Sequence, residues 1–282
     1  MSKVLDGKLV SQSVKDRIRD EVAVMREQGR VVTLAVIIVG DDPASRVYVN
    51  NKKKACEYVG FRSLEYALPA ETTQEELIAL IEELNARDDV NGILCQLPVP
   101  KHIDDKAVIA AIDVRKDVDA FSAYNVGKIL IGDYDFLPCT PAGVMEILKY
   151  YDIDVTGKRC VVIGRSNIVG KPMAALLMHA NGTVTVAHSR TQDLAAITRE
   201  ADILVAAIGK AKFVTADMVK EGAVVIDVGM DRDENGKLCG DVDYNSVSEI
   251  CSAITPVPGG VGPMTIAMLM QNTLKAYHVQ HP

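Results

Sequence analysis

The chain has no closely spaced cysteines. Its six, Cys56, Cys95, Cys139, Cys160, Cys239 and Cys251, lie far apart with no C-x-x-C among them. Neither a zinc site nor a disulfide framework is therefore expected, and the thiols read as reduced residues of a cytoplasmic protein. A surplus of positive charge is also missing. The formal net charge is −7, which argues against a nucleic-acid-binding surface and leaves any anionic ligand to be gripped by a local pocket. The longest apolar runs, such as "LAVIIV", are far too short to cross a bilayer, and the opening "MSKVLDGKLV" lacks the apolar core of a signal peptide. No repeat of fixed period, low-complexity stretch or charged tail is visible. What is present is 282 residues of ordinary soluble-enzyme composition, enough for about two domains that bury roughly three quarters of the unfolded surface.

Two α/β halves emerge from the periodicity. The first holds a polar helix near 7–28, the strand "TLAVIIVG", a helix near 45–59, the strand "RSLEYAL", the helix "TQEELIALIEELNARD", the strand "GILCQLP" and a short helix near 104–112. After the loop-like "KDVDAFSAYNVGKILIGDYDFLPCTP", a helix near 142–151 leads into "RCVVIG", "PMAALLMHA", "TVTVAHS", "DLAAITREA", "DILVAAIG" and "AVVIDVG". That alternation predicts mostly parallel sheets, the second in Rossmann-like order, with ligands beyond the carboxyl ends of the strands. Those ends carry Gly164, Ser189, Gly209 and Gly229. The closing "TPVPGGVGPMTIAMLMQNTLKAYH" joins a Pro/Gly-rich loop to an amphipathic helix from about Pro263, whose stripe Ile266, Met268, Leu269 and Leu274 must pack on something.

The most informative turn is "VVIGRSNIVGKP". Gly164 ends a buried strand where the chain must turn sharply into a helix, and backbone N–H groups at a helix start can receive a phosphate. The usual G-x-G-x-x-G is altered: Ser166 stands at the second glycine, and the third, Gly170, comes one residue late. A plain strand–turn–helix is the alternative. At the end of the next strand, "AHSRT" offers His188, Ser189 and Arg190 where an NAD site usually places an acid. With Arg165 nearby, Ser189 and Arg190 favour the 2′-phosphate of NADP; the bland reading is solvated surface charge.

In the first half, "SRVYVNNKKKACEYVG" puts Tyr48 and Lys52 four residues apart on one helix face, a spacing that can orient a substrate and move a proton, or can be chance. Gln96 follows a strand in "CQLPVP", where it is delivered to the same crevice or is an ordinary loop residue. "KDVDAF" supplies Asp117 and Asp119. No histidine or further acid lies close by, so one carboxylate receiving a pair of N–H donors fits better than a metal site.

Taken together, "YVNNK", "CQLPVP", "KDVDAF", "PCTP", "GRSNIVGKP" and "TPVPGGVGPMT" resemble, in order and over most of the chain, the bifunctional methylenetetrahydrofolate dehydrogenase/methenyltetrahydrofolate cyclohydrolase family. The resemblance implies a two-domain α/β fold: an N-terminal catalytic domain (1–139) and a C-terminal Rossmann-like domain (140–282), whose last helix, about 263–278, packs back on the first. It implies folate in an interdomain cleft, NADP on the second domain and a homodimer, with no nucleic-acid or membrane partner. By position, Gly164, Arg165, Ser166, Ser189, Arg190 and Met230 would contact cofactor. Two departures are Ala120, where "KDVDGF" is common and which puts the loop presenting Asp119 in question, and Met230, where isoleucine is common.

The implied chemistry is hydride transfer from methylenetetrahydrofolate to nicotinamide, followed by attack of water on the methenyl cation to give 10-formyltetrahydrofolate. Lys52 would steer the proton in hydrolysis. An ordinary lysine, with pKa about 10.4, needs desolvation or a nearby positive charge to act as a base, and the cationic substrate can supply that charge. Gln96 would hold Lys52, Tyr48 would orient the folate, and Asp119 would accept two N–H bonds from the pterin edge. Pro258 and Gly259 would shape the cleft wall, and no step needs metal. The alternatives are an NADP oxidoreductase on another small substrate, such as a hydroxy acid, and a non-catalytic folate or dinucleotide sensor.

Overall fold

The structure, a computed structural model, describes residues 2–282, apart from the side chains of 43–45. The chain runs through β1 (Lys3–Val4), α1 (Gly7–Glu27), β2 (Thr33–Val39), α2 (Pro43–Val59), β3 (Arg62–Leu68), α3 (Gln74–Ala86), β4 (Gly92–Cys95), α4 (Asp105–Ala111) and α5 (Ala123–Ile131). It continues through α6 (Cys139–Tyr150), β5 (Arg159–Ile163), α7 (Gly170–His179), β6 (Thr183–Ala187), α8 (Leu194–Thr198), β7 (Ile203–Ala206) and β8 (Val224–Asp227). The remainder is β9 (Asp231–Arg232), β10 (Leu238–Cys239), α9 (Tyr244–Val247), β11 (Ala253–Ile254) and α10 (Val261–Gln280).

Two compact units form, each from separate stretches: residues up to Ser11 with Pro138–Thr265, and Gln12–Leu137 with Ile266–Pro282. This differs from the expected 1–139 and 140–282 division at the start of the chain, where residues up to Ser11 group with the C-terminal half. The cause is backbone pairing. β1 lies parallel to β11, with Lys3 opposite Ala253 and Val4 opposite Ile254, and Leu5 is fully buried. A two-residue strand has too little periodicity to be seen in sequence.

The unit around Gln12–Leu137 holds a parallel three-stranded sheet in the order β3-β2-β4. All seven residues of "TLAVIIV" are buried, as a central strand covered on both faces requires. The edge strand β3 instead mixes partly buried and exposed positions. Helix α3 begins with a capping box, in which Thr73 accepts from the Glu76 N–H and Glu76 reaches back to the Thr73 N–H. Its buried face, Leu77, Ile81 and Leu84, packs in one cluster with Ile37, Ile93 and Val108.

The other unit carries a six-stranded parallel sheet, β1-β11-β8-β7-β5-β6, with adjacent strand ends at Ile163, Ala187, Ala206 and Asp227. Several elements depart from expectation. The loop-like stretch after residue 116 contains helix α5, capped by the Ser122 side chain and closed by Gly132 in the left-handed region at φ 79. An antiparallel pair, β9–β10, forms where the periodicity predicts no strand. Helix α10 starts at Val261, and its expected stripe is only half right: Leu269 and Leu274 are buried, whereas Ile266 and Met268 are only partly so. Met264, Ala267, Met270, Thr273 and Tyr277 are buried as well, so this helix is covered on several faces.

Candidate active site

Helix α2 presents Tyr48 and Lys52 one turn apart, with Tyr48 partly buried and Lys52 buried at 9 % exposure. Burial raises the Tyr48 phenol above its ordinary pKa. The Lys52 ammonium donates to Gln96 Oε1 at 2.7 Å. That amide is held from its other side too, because Gln96 Nε2 donates to the Leu97 carbonyl at 2.7 Å and the Gln96 N–H donates to the Ile37 carbonyl at 2.8 Å. The glutamine cannot turn without losing one of its two side-chain bonds. The Cys95 thiol, pushed up to about 12 by burial, is raised further by the charge of Asp119 and lowered by that of Lys52, so both charges lie within reach of the end of β4.

Each letter of "KDVDAF" has a distinct task. Lys116 is buried, and its ammonium donates to the carbonyls of Leu84, Asn85 and Arg87 at 3.2, 2.8 and 2.7 Å, closing the C-terminal end of α3. Asp117 is buried and accepts from the N–H groups of Phe121 and Ser122 at 3.3 and 2.9 Å and from Asn125 Nδ2 at 2.9 Å. It is the carboxylate that receives a pair of N–H donors from the protein itself. Val118 is core, and Ala120 is fully buried with φ 57, a left-handed conformation that accounts for the common glycine. Asp119 is partly exposed, in the wall of a pocket shared with Cys95, Leu97, Val108, Asp117 and Phe121.

In the other unit the strand–turn–helix from Gly164 to Gly170 is sterically demanding. Gly164 has φ 126, and a side chain there would overlap the Ala207 carbonyl oxygen. A side chain on Gly170 would overlap the Gly164 carbonyl. Ser166 accounts for the altered spacing: its hydroxyl accepts from the N–H groups of Val169 and Gly170 at 3.2 and 3.3 Å, which caps the entry to α7 from within the turn. These tight approaches fix the backbone turn beyond β5 at the carboxyl end of the sheet, the place where such folds receive a pyrophosphate.

Arg165, Ser166, Ser189 and Arg190 are all exposed, at the ends of the neighbouring strands β5 and β6, where the Gly164 N–H donates to the Ala187 carbonyl at 2.8 Å. The 188–191 loop is folded on itself: the His188 N–H donates to Thr191 Oγ1, and the Arg190 N–H to His188 Nδ1. Met230 is 47 % exposed just past β8, so close to Gly262 that a side chain there would meet its methyl group. Pro258 is exposed; Gly259 is buried with φ 110, and its carbonyl accepts from the Lys8 N–H at 3.1 Å. Among the described residues, no three His, Cys, Asp or Glu side chains cluster so as to hold a metal ion, and no helix is long and apolar enough to cross a membrane.

Two carboxylates that sequence reasoning missed sit at this sheet end. Asp227 accepts from the N–H groups of Gly229, Asp241 and Val242, each at 2.9 Å. Asp241 accepts from the N–H groups of Ile208 and Lys210, each at 2.7 Å. Nothing local marks them, since their partners are loop amides distant in sequence.

Comparison with known proteins decides the family. Residues 5–119 match the family described as "Tetrahydrofolate dehydrogenase/cyclohydrolase, catalytic domain", and residues 138–281 match its NAD(P)-binding domain. The chain belongs to the tetrahydrofolate dehydrogenase/cyclohydrolase family. It is 63 % identical over 279 residues to "Bifunctional protein FolD" of Acetivibrio thermocellus, covering 99 % of this chain and 98 % of that one. The bifunctional methylenetetrahydrofolate dehydrogenase/cyclohydrolase of Campylobacter jejuni has a solved structure with TM-score 0.97, 50 % identity and 99 % coverage of both chains. The Trypanosoma brucei enzyme, solved with NADP cofactor and inhibitor, has TM-score 0.94 and 40 % identity, covering 99 % of this chain and 98 % of that one.

Proposed function

We propose that this member of the family divides one reaction sequence between the residues described above. The chain oxidises 5,10-methylenetetrahydrofolate with NADP and hydrolyses the resulting methenyl cation to 10-formyltetrahydrofolate, as an oxidoreductase and hydrolase of one-carbon metabolism. NADP, when bound, accepts the hydride. The observation that carries the residue assignment is the Lys52–Gln96 hydrogen bond. An amide fixed on both sides points the amine of Lys52, which then moves the proton released as water attacks the methenyl carbon.

Tyr48, one turn away, orients the folate. Asp119 takes the two N–H groups of the aminopyrimidinone edge, a bidentate match to a carboxylate; the full set of internal donors on Asp117 supports this division of labour. Pro258 and Gly259 complete the proposed substrate-binding set. Gly164, Arg165 and Ser166 receive the pyrophosphate side of NADP, Ser189 and Arg190 its 2′-phosphate, and Met230 lies near nicotinamide. The reading includes a homodimer in the cytoplasm, and six buried cysteines that form no disulfide support the second part.

The decisive variant is Lys52→Met. Its hydrolysis of methenyltetrahydrofolate should fall by about a hundredfold or more, the typical scale of a lost proton-transfer group, while dehydrogenase activity is damaged less, since hydride transfer depends mainly on alignment. Unchanged hydrolysis would remove Lys52 from this role.

A further inference from the structure

The cofactor side carries a further device, whose reading rests on NADP-linked oxidation. At the carboxyl end of a parallel sheet, the backbone leaves its ladder and the emerging N–H groups need other acceptors. Here two carboxylates supply them for three loops at once. The Asp241 carboxylate, fully buried, takes the Ile208 N–H on Oδ2 and the Lys210 N–H on Oδ1, one on either side of Gly209, which sits in the left-handed region at φ 66. Asp241 is itself held by its own N–H, which donates to Asp227 Oδ1; the same oxygen accepts from Gly229, the residue before Met230. Side chains on Gly229 and Gly240 would collide with Asp241 and Asp227 respectively, so the glycines admit the two acids. The loop that Asp241 grips begins at Ala207, whose carbonyl packs directly on Gly164 of the turn assigned to the cofactor pyrophosphate.

We propose that Asp241 is a positioning residue for the dehydrogenase step, fixing the 207–210 loop against the phosphate turn and, through Asp227, the backbone entering Met230. A buried carboxylate is costly unless every oxygen is engaged, and a hydrophobic filler would hold none of these amides. The acid therefore does what neither packing nor the strand ladder can: it fixes two N–H groups of one loop while its own backbone fixes a second acid. Fully buried, it acts through the loop it grips, so its effect is expected on reactions that use the dinucleotide.

The family chemistry provides an internal control, because hydrolysis of methenyltetrahydrofolate consumes no NADP. Full-length wild type, Asp241→Asn and Gly209→Ala are compared by NADP titration, dehydrogenase kcat and KM for NADP, and hydrolysis without NADP. Asparagine keeps one acceptor but turns an NH₂ towards a backbone donor, so Kd and KM for NADP should rise about tenfold or more with kcat within about threefold and hydrolysis near wild type. Gly209→Ala strains the same loop with Asp241 intact and should move the NADP constants in the same direction; it decides the matter if Asp241→Asn does not fold. Unchanged NADP constants, or equal loss of both activities in each variant, would overturn the proposal by leaving Asp241 with no role or a general structural one. A wild type lacking dehydrogenase activity would instead overturn the underlying reading.

Discussion

At the scale of single residues, Ala120 shows how a departure from a family string can be read physically. Its left-handed φ of 57 costs about 1 kcal/mol relative to glycine. The buried methyl returns about 0.8 kcal/mol, and alanine also restricts the unfolded chain. The terms nearly cancel, so the loop presenting Asp119 tolerates alanine without rearrangement. Ala120→Gly should change stability by less than about 1 kcal/mol in urea unfolding, whereas Ala120→Val, β-branched at a left-handed and fully buried position, should cost more than about 2 kcal/mol. A well-tolerated valine would show that the backbone there adopts another conformation. The roles of Lys116 and Asp117 were not legible beforehand, because a buried lysine closing a helix and a carboxylate folding its own loop depend on partners that only the fold supplies.

At the scale of elements, the turn between β5 and α7 was legible because its requirements are local. A strand end, a forced glycine and a helix start lie within a dozen residues, and even the unusual Ser166 acts on amides three and four residues on. Helix α5 is hidden inside a stretch dominated by turn-like and loop-like residues, and the stripe of α10 is not legible because a helix covered on several faces has no single apolar side to read. The pairing of β5 with β6, Ile163 opposite Ala187, brings Arg165 and Ser189 to adjacent strand ends without an intervening acid. A charge-assisted contact from one arginine favours the 2′-phosphate by roughly 1.5–3 kcal/mol, about ten- to a hundredfold. The kcat/KM ratio should therefore favour NADP over NAD, and Arg165→Ala with Ser189→Asp should reverse it, since the new carboxylate repels phosphate yet accepts from a ribose hydroxyl. A wild-type preference for NAD, or a ratio indifferent to the double change, would place the phosphate contact elsewhere.

At the scale of the whole molecule, stability against pH is set by two groups of acids that pull in opposite directions. Asp113 and Asp202 are held below the usual carboxylate range, first by hydrogen bonds from Arg115 and Lys220 respectively. Their contribution is present above about pH 4 and is lost on further acidification. Asp227 behaves in the other sense. Burial pushes it up to about 7 despite three backbone N–H donors that lower it, and the neighbouring Asp241 raises it further. Asp231 is raised as well, first by burial and then by Asp241. A carboxyl whose folded pKa lies above its unfolded value of about 3.9 binds more protons in the native state across that interval, so the free energy of unfolding falls as pH rises from about 4 through about 7 and levels off beyond. The loss attributable to Asp227 is on the order of a few kcal/mol. Urea midpoints between pH 4.5 and 8 should accordingly decline for the wild type, with a maximum at mildly acidic pH. Asp227→Asn, which cannot ionise but sets an NH₂ against one of the backbone donors, should be less stable at pH 5 and show a shallower decline. An equal slope in both proteins would mean that Asp227 is ionised throughout, with its three amide donors outweighing burial.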